Sequence, residues 1–207
     1  MLNKKMKDNK KFWQRFAKLY SPFMERGNKQ LYEQIKDEIK PLLNKDMCVL
    51  ELACGSGQLS FRLCDYVKTW QATDFSENMI AEANKQPYPS SLTFDVQDAT
   101  NLPYADKSFD VVVIANALHI MPEPDKAMKE IRRVLKDGGL LFAPTFVHGE
   151  GRKYKFRIKM MNLIGFKTYS KWNAEEFSKY VEGHGFSVQA EKIMGSTLTP
   201  LCCLIGK

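Results

Sequence analysis

The sequence lacks any run of eighteen or more consecutive apolar residues, and no apolar signal core follows its N-terminal lysines. These absences argue against a membrane span and a secretion signal. Histidine is scarce, and the five cysteines are odd in number and lack the spacing of metal ligands. Because the cysteines lie mostly within apolar runs, we expect a reducing, cytoplasmic compartment and no metal site.

The remaining composition is that of an ordinary globular protein. Hydrophobic residues make up 44% of the 207 residues and charged residues 27%, which excludes wholesale disorder and provides one domain with a substantial core. The net charge of +7 is local, because residues 1–18 carry net +6, residues 152–171 carry net +7 and the rest carries net −6. Such basic segments are either solvated faces or contacts to an anionic partner.

Helical spacing of apolar residues predicts two helices before the first strand. The first is a short amphipathic helix that passes through Tyr20 and ends at Ser21-Pro22, since the residue before a proline disfavours helical geometry. The second covers residues 28–40 and is closed by Pro41.

From residue 47 onward, strand and helix patterns alternate. Strands are predicted at 47–53, 69–73, 92–95, 111–115 and 140–146, with helices at 59–66, 76–86 and 125–135. This alternation implies a largely parallel sheet covered on both faces. A helix at 174–183 and two strands at 186–193 and 198–205 follow, which predicts an antiparallel edge hairpin. The predicted fold class is α/β, a doubly wound sheet of about seven strands, mostly parallel, with a C-terminal antiparallel hairpin.

Polar residues follow four of the predicted strands. Gly55-Ser56-Gly57 allows a sharp turn close to a ligand, and Asp74 offers a carboxylate to both hydroxyls of a ribose. Asp98-Ala99 and Asn116-Ala117-Leu118-His119 follow the third and fourth strands. Each alone fits a turn or a helix cap. Together, at the carboxyl ends of parallel strands, they predict one crevice for a nucleoside.

The glycine turn also bears on which nucleoside binds. A dinucleotide site favours a third glycine, and here that place is Ser60. The phosphate-cradling motif G-x-x-x-x-G-K-[ST] is absent as well. The sequence therefore favours a nucleoside ligand without a diphosphate.

Five motifs occur in order within residues 45–145. They are Glu51-Leu52-Ala53-Cys54-Gly55-Ser56-Gly57, Asp74-Phe75-Ser76-Glu77-Asn78-Met79, Asp98-Ala99 with Leu102-Pro103-Tyr104, Ser108-Phe109-Asp110 and Arg133-Val134-Leu135-Lys136-Asp137-Gly138-Gly139. This set resembles the class I S-adenosylmethionine-dependent methyltransferases of Rossmann-like fold, in the ubiquinone/menaquinone biosynthesis (methyltransferase type 11) branch. Asp137 departs from the usual proline, and residues after Phe146 carry no subfamily signature, so no substrate is implied.

The resemblance implies S-adenosylmethionine as the cofactor and a set of residues around it. They are Glu51, Ala53, Gly55, Gly57, Asn116 and Leu118 for the methionine part, Asp74 for the ribose, and Phe75, Met79, Asp98 and the Ala99 N–H for the adenine. Tyr20 matches the position of a lid aromatic in some relatives, with core packing as the alternative.

Methyl transfer from a sulfonium is an in-line displacement, so alignment and exclusion of water supply much of the rate. A base is needed only if the acceptor must lose a proton. His119, at a strand end, is the catalytic candidate, and a packed structural residue is the alternative. The histidines and cysteines form no metal cluster in the sequence.

We expect a single methyltransferase domain with an N-terminal helical lid at 1–44, a donor-binding core at 45–147, and a substrate-side insertion and hairpin at 148–207. The acceptor is expected to be a small or lipid-like molecule, and residues 152–171 to be a lid, a peripheral membrane contact or neither. No nucleic-acid partner is expected, because Asn116-Ala117-Leu118-His119 replaces the [DNS]-P-P-[YFW] loop of base methyltransferases. The alternatives are a nucleotide-dependent oxidoreductase and a catalytically silent S-adenosylmethionine-binding protein; the sequence leaves the oligomeric state open.

Overall fold

The computed structural model describes residues 2–148, 167–196 and 199–207. For residues 2–9, 16, 18–26 and 199 it describes the backbone but not the side chain. Most of the basic segment 152–171 therefore lies outside the described residues, as does the side chain of Tyr20. No helix within the described ranges has an apolar stretch long enough to span a bilayer.

The N-terminal region is one helix, α1 (Leu2–Ile39), rather than the two helices predicted. The prediction was wrong at Ser21-Pro22, because packing along α1 outweighs the cost of about 3 kcal/mol that a proline inside a helix carries through its lost hydrogen bond and its clash with the carbonyl four residues earlier. Both halves of α1 have packing partners. Tyr32, Ile35 and Ile39 are buried in the core, and the N-terminal half contacts the third helix of the fold.

Eight strands form one sheet in the described part of the chain. They are β1 (Cys48–Leu52), β2 (Thr69–Asp74), β3 (Leu92–Val96), β4 (Phe109–Ile114), β5 (Leu135–Phe142), β6 (Thr145–Phe146), β7 (Val188–Ser196) and β8 (Thr199–Gly206). The order is β3-β2-β1-β4-β5-β8-β6, with β7 paired to β8. The first five strands are parallel, and β8 runs antiparallel to β5, β6 and β7.

This arrangement confirms the predicted doubly wound α/β fold and its C-terminal antiparallel hairpin. The predicted fifth strand divides into β5 and β6 at Ala143-Pro144, where proline has no N–H for a strand ladder. β5 also begins directly after the preceding helix, at Leu135. Asp137, the departure from the family's proline, lies within β5 and pairs with Lys107 at 2.7 Å.

The other helices cover both faces of the sheet. They are α2 (Ser60–Leu63), α3 (Glu77–Ala83), α4 (Pro124–Val134) and α5 (Ala174–Gly183), with short 3-10 helices at Lys40–Leu42, Cys64–Tyr66 and Leu118–Ile120. Residues of α1, α2 and α3 pack on one face and those of α4 and α5 on the other. Because β1 lies between β2 and β4, the strand order reverses at β1, and a crevice opens beyond the strands' carboxyl ends.

Candidate cofactor-binding site

A pocket lies beyond the carboxyl ends of β1, β2, β3 and β4. It encloses about 870 Å³ of empty space, part of it open to solvent. Its lining residues are Trp13, Ala53, Gly55, Asp74, Phe75, Met79, Gln97, Asp98, Ala99, Thr100, Ala115, Asn116, Ala117, Ile120, Met121, Pro122 and Glu123.

The pocket brings together most of the residues that the sequence predicts for a cofactor. Those that line it are Ala53, Gly55, Asp74, Phe75, Met79, Asp98, Ala99 and Asn116. Glu51, Gly57, Leu118 and the catalytic candidate His119 are not among its lining residues. Asp74 and Asp98 thus share one hollow, as the predicted crevice requires.

Asp74 ends β2 and is almost fully buried. One carboxylate oxygen accepts the N–H of Gly55 at 3.0 Å, and the other accepts the N–H of Ser76 at 2.9 Å. Burial raises the pKa of Asp74 to about 6, against the lowering effect of these backbone hydrogen bonds. Since each carboxylate oxygen can accept more than one hydrogen bond, the group retains acceptor capacity toward a ligand.

Glu51 is buried beside the pocket, and its carboxylate is engaged by two protein donors. It accepts hydrogen bonds from the Ser60 hydroxyl and from Trp70 Nε1, the latter at 2.8 Å. Burial raises the pKa of Glu51 to about 7, against the effect of these two donors. Glu51 thus supports the packing of α2 against β2, and its predicted contact with the cofactor's ammonium stays a prediction.

Gly55 and Gly57, in the turn after β1, occupy their positions for different physical reasons. Gly55 has a φ of 58° and lines the pocket, as expected for close approach of a ligand. Gly57 has a φ of 86°, and a Cβ there would lie 2.7 Å from Phe61 and 2.9 Å from Phe94. The positive φ and these two contacts together favour glycine at position 57, whether or not the residue also meets the ligand as predicted.

The far end of the pocket combines two apolar side chains with an exposed acid. Phe75 is half-buried and Met79 is buried, and both line the pocket. Asp98 is exposed, and its Oδ1 accepts hydrogen bonds from the backbone N–H of Thr100 at 2.9 Å and from its hydroxyl at 2.7 Å. This local turn fixes the loop after β3.

Asn116 follows β4 with a φ of 55°, a conformation that asparagine tolerates better than most residues. Its N–H donates to the Pro144 carbonyl at 2.7 Å. Its buried side-chain Oδ1 has no hydrogen-bond partner among the residues that the structure describes. Leu118 is buried in the apolar core beneath the loop, away from the pocket lining, and its predicted contact with the cofactor stays a prediction.

His119 lies in the 3-10 helix Leu118–Ile120 with 7% of its surface exposed. Its ring meets the Phe146 ring edge-on at 6.3 Å between centroids. Burial lowers the pKa of His119 to about 4, so the ring is neutral at pH 7. The predicted catalytic role stays a prediction.

Residues on α1 lie over the pocket, where the sequence predicts a helical lid at 1–44 without naming Trp13 among the residues that reach the site. Trp13 lines the pocket. Beside it, Lys10 Nζ and Gln14 Nε2 each bond a different carboxylate oxygen of Glu77, both at 2.6 Å, and Asn78 Nδ2 donates to the Gln14 carbonyl at 2.9 Å. The sequence predicts an amphipathic helix for this segment, but helical spacing alone cannot say which surface Trp13 meets.

The described residues contain no group of three histidine, cysteine, aspartate or glutamate side chains placed to hold a metal ion. The site offers instead one buried carboxylate, a backbone turn and apolar walls.

Residues 50–143 match the family described as "Methyltransferase domain". Over 131 residues the chain is 34% identical to an uncharacterized chloroplastic methyltransferase of Arabidopsis thaliana, with 59% of this chain and 36% of that protein covered. It is 38% identical over 131 residues to a demethylmenaquinone methyltransferase of Desulfitobacterium hafniense, with 58% and 52% covered. A solved S-adenosylmethionine-dependent methyltransferase of Thermotoga maritima superposes with a TM-score of 0.74 at 20% identity, with 94% and 97% covered.

These matches confirm the predicted resemblance to methyltransferases over residues 50–143, and the superposition confirms the Rossmann-like fold. A magnesium protoporphyrin IX methyltransferase from Synechocystis, solved with bound S-adenosylhomocysteine, superposes with a TM-score of 0.68 at 18% identity, with 87% of this chain and 83% of that chain covered. The chain spans about a third and about half of the two curated relatives' lengths.

Proposed function

We propose that this chain, whose residues 50–143 belong to the methyltransferase-domain family, transfers a methyl group from S-adenosylmethionine to a small or lipid-like acceptor. The observation that carries the proposal is Asp74, a buried carboxylate at the end of β2 that lines the same pocket as Gly55 and Asn116. The unpartnered Asn116 Oδ1 adds an acceptor that a ligand's donor would satisfy.

In this proposal the described residues divide the cofactor between them. Bound in the pocket, S-adenosylmethionine supplies a methyl group on a positively charged sulfur. Asp74 accepts hydrogen bonds from the ribose hydroxyls while it holds the turn at Gly55. Phe75 and Met79 enclose the adenine, and Asp98 and the Ala99 N–H form hydrogen bonds with its polar edge.

The N-terminal helix supplies the cover in this proposal. Trp13 lies at the pocket and residues 10–14 are held to α3 through Glu77 and Asn78. Such a cover excludes water, which strengthens the electrostatic interactions of Asp74 with a ligand. This supports the division into a lid at 1–44, a donor-binding core at 45–147 and a substrate-side region at 148–207.

We retain His119 as the proposed base for an acceptor that must lose a proton. Its ring is neutral at pH 7 and has a free lone pair for a proton, but the pKa of about 4 makes it a weak base in the free protein. An acceptor that attacks through an unprotonated lone pair needs no base, and alignment alone then suffices.

The acceptor side lies toward the segment whose two ends are His148 and Lys167. Two backbone hydrogen bonds fix the chain at these two ends. The His148 N–H donates to the Trp172 carbonyl at 2.7 Å, and the Tyr169 N–H donates to the His119 carbonyl at 2.9 Å. We propose that residues 152–171 cover the acceptor or contact an anionic membrane. Liposome flotation without salt-sensitive binding would remove the membrane version.

We also propose a cytoplasmic location, supported by five cysteines that are all free thiols, four of them buried. The relative from Arabidopsis thaliana is named chloroplastic, so the compartment is to be tested by fractionation of the source cells.

Calorimetric titration with S-adenosylhomocysteine tests the cofactor site directly. We expect saturable binding at one site and no binding of NAD(P)H. Detection of S-adenosylhomocysteine formation with a panel of quinols, amines, phenols and phospholipid headgroups then tests transfer. Cofactor binding without turnover on any acceptor would favour the silent binding protein, and NAD(P)H binding would favour the oxidoreductase.

A further inference from the structure

The connection between β3 and β4 carries the residues proposed to meet the adenine. Residues 97–108, all of which the structure describes, form neither helix nor strand, and the first four of them line the pocket. An irregular segment keeps one conformation only where contacts outweigh the entropy of its backbone. The position of Asp98 therefore depends on how this connection is anchored on both sides.

The first anchor is the end of β2. The Gln97 N–H donates to the Asp74 carbonyl at 3.0 Å, and the Asn101 N–H donates to the Asp98 carbonyl at 3.0 Å. The second bond closes a turn that the Thr100 contacts to the Asp98 carboxylate reinforce. The residues proposed to meet the adenine thus lie in a turn whose entry is fixed.

The second anchor is α4, where one ion pair binds both backbone groups of Leu102. The Leu102 N–H donates to Glu130 Oε2 at 2.7 Å, and Arg133 Nη2 donates to the Leu102 carbonyl at 3.0 Å. Arg133 Nη1 also donates to the Tyr104 carbonyl at 2.7 Å. The Leu102 side chain is buried in the same apolar cluster as Ile131 of α4. The exit of the turn is therefore fixed to α4.

Arginine suits this position because its planar guanidinium presents several N–H donors at once. Besides the two carbonyls, Arg133 bonds both carboxylate oxygens of Glu130 at 2.9 and 2.7 Å and Asp106 Oδ1 at 2.8 Å. The hydrogen bonds from Arg133 lower the pKa of Glu130, so both members of the pair are charged at pH 7. Hydrogen bonds of charged groups are stronger than those of neutral groups.

We propose that Glu130 and Arg133 are positioning residues for the adenine of the cofactor. They hold the backbone at residues 102–104, which sets where Asp98 and the Ala99 N–H lie. Neither Glu130 nor Arg133 is among the described residues that line the pocket, so both act through the turn rather than on the ligand. A turn already held in its binding geometry loses less entropy when the ligand binds. This inference rests on the proposed function and adds residues outside the pocket to it.

Two ligands that differ only in the base test this role. S-inosylhomocysteine has the ribose and the amino acid of S-adenosylhomocysteine, but a carbonyl replaces the amino group of the base and a ring N–H replaces the neighbouring ring acceptor. It therefore offers no donor to Asp98 and no acceptor to the Ala99 N–H. We expect the unsubstituted protein to bind S-adenosylhomocysteine about tenfold or more tightly, as hydrogen bonds to such a site provide.

Arg133→Gln should reduce this preference by about fivefold or more, because the turn no longer holds Asp98 against the base. Lys136→Gln is the matched control and should retain the preference, since Lys136 pairs with Asp110 at 2.7 Å and neither of them lines the described pocket. Destabilisation alone weakens both ligands equally, because they share the ribose and the amino acid. A lowered unfolding midpoint with an undiminished preference in Arg133→Gln would overturn the proposal.

Arg133→Lys is the second variant, for the case that Arg133→Gln does not fold. Lysine keeps the charge beside Glu130, but one ammonium cannot replace the planar donors that bind two carbonyls and two carboxylates. The preference should fall by about threefold or more, and the amides of residues 98–104 should exchange hydrogen faster than in the unsubstituted protein. Full preference and unchanged exchange in Arg133→Lys would contradict the positioning role.

The two levels of the proposal fail in different ways. If the unsubstituted protein binds both ligands equally, the positioning role is overturned while the cofactor site stands. Absence of S-adenosylhomocysteine binding in the unsubstituted protein overturns the proposed function itself.

Discussion

Asp74 Oδ2 accepts the backbone N–H of Gly55 at 3.0 Å, so the acid that ends β2 holds the turn that follows β1. The same carboxylate fixes Ser76, the N-cap of α3, through its other oxygen. One side chain therefore sets the position of two loops and presents its remaining lone pairs to the pocket. We infer that the part of the site proposed to bind the methyl donor is formed before that ligand binds.

Asp74→Asn should weaken S-adenosylhomocysteine binding by about 10–100-fold, because a hydrogen bond to a charged group is worth about 1.5–3 kcal/mol. Asparagine keeps the size of the side chain and one acceptor oxygen. Asp95→Asn is the control, since Asp95 is exposed on β3 and pairs with Gln71 rather than the pocket. Calorimetry that finds equal affinity for Asp74→Asn and Asp95→Asn would count against the assigned ribose contact.

Glu51 should make the protein less stable as pH rises through about 7. Its pKa is raised by burial from 4.5 to about 7, so between these values the folded state retains a proton that the unfolded state has lost. Its stabilising effect is complete below pH 4.5 and is lost as pH rises through 7. His119 acts in the opposite direction over pH 4–6.5, because its pKa is lowered.

The Glu51 effect is isolated by comparison with Glu51→Gln in urea unfolding at pH 5, 6, 7 and 8. The free energy of unfolding of the unsubstituted protein should fall relative to the variant by on the order of 2 kcal/mol across this series. A difference that does not change with pH would show that the carboxyl is not protonated in the folded state.

Glu77→Gln should speed the release of S-adenosylhomocysteine by about 2–10-fold with little loss of stability. The Lys10–Glu77 pair, which lowers the pKa of Glu77 to about 2, joins α1 to α3 at the edge of the pocket. Both side chains are substantially exposed, and such pairs contribute little to the free energy of unfolding. Stopped-flow displacement measures the rate. Glu82→Gln, which breaks the ion pair between Glu82 of α3 and Lys85 in the turn after it, should leave the rate unchanged.

Trp13 should report cofactor binding through its fluorescence. It lines the pocket, whereas Trp70 is fully buried in the core and Trp172 packs on Tyr180. Titration with S-adenosylhomocysteine should change the emission of the protein, and Trp13→Phe should abolish the change and weaken binding by a few fold. A signal that persists in Trp13→Phe would place the ligand elsewhere.

Gly57→Ala should destabilise the fold by about 1–3 kcal/mol. The new Cβ would lie 2.7 Å from Phe61 and 2.9 Å from Phe94, at a φ of 86°. Gly27→Ala is the counterpart, because Gly27 is inside α1 and nothing lies within 4 Å of the position that the added methyl group would take. That change should stabilise by up to about 1 kcal/mol through helix propensity. Urea unfolding of both variants measures the contrast, and equal effects would contradict it.

The alternation of apolar runs and amphipathic segments was enough to predict the sheet. The uniformly apolar residues 111–114 match a strand buried on both faces, and Gly55, Asp74 and Asp98 each follow a predicted strand. Because parallel strands end at one edge, the convergence of these residues follows from local pattern alone. At Ser21-Pro22 the local pattern misled the prediction. The proline indicated the end of a helix, but packing at both ends of α1 outweighed this local signal.

What the sequence determined by itself is therefore the fold class, the edge of the sheet at which the pocket lies, and the acids and glycines that lie there. These features depend on periodicity of two or 3.6 residues. Tertiary structure alone decided that Glu51 bonds Ser60 and Trp70, that Gly57 makes room for Phe61, and that Trp13 reaches the pocket. Each of these depends on contacts between distant segments, whose geometry is set by close packing and by the pairing of buried polar groups, and no short-range pattern encodes it.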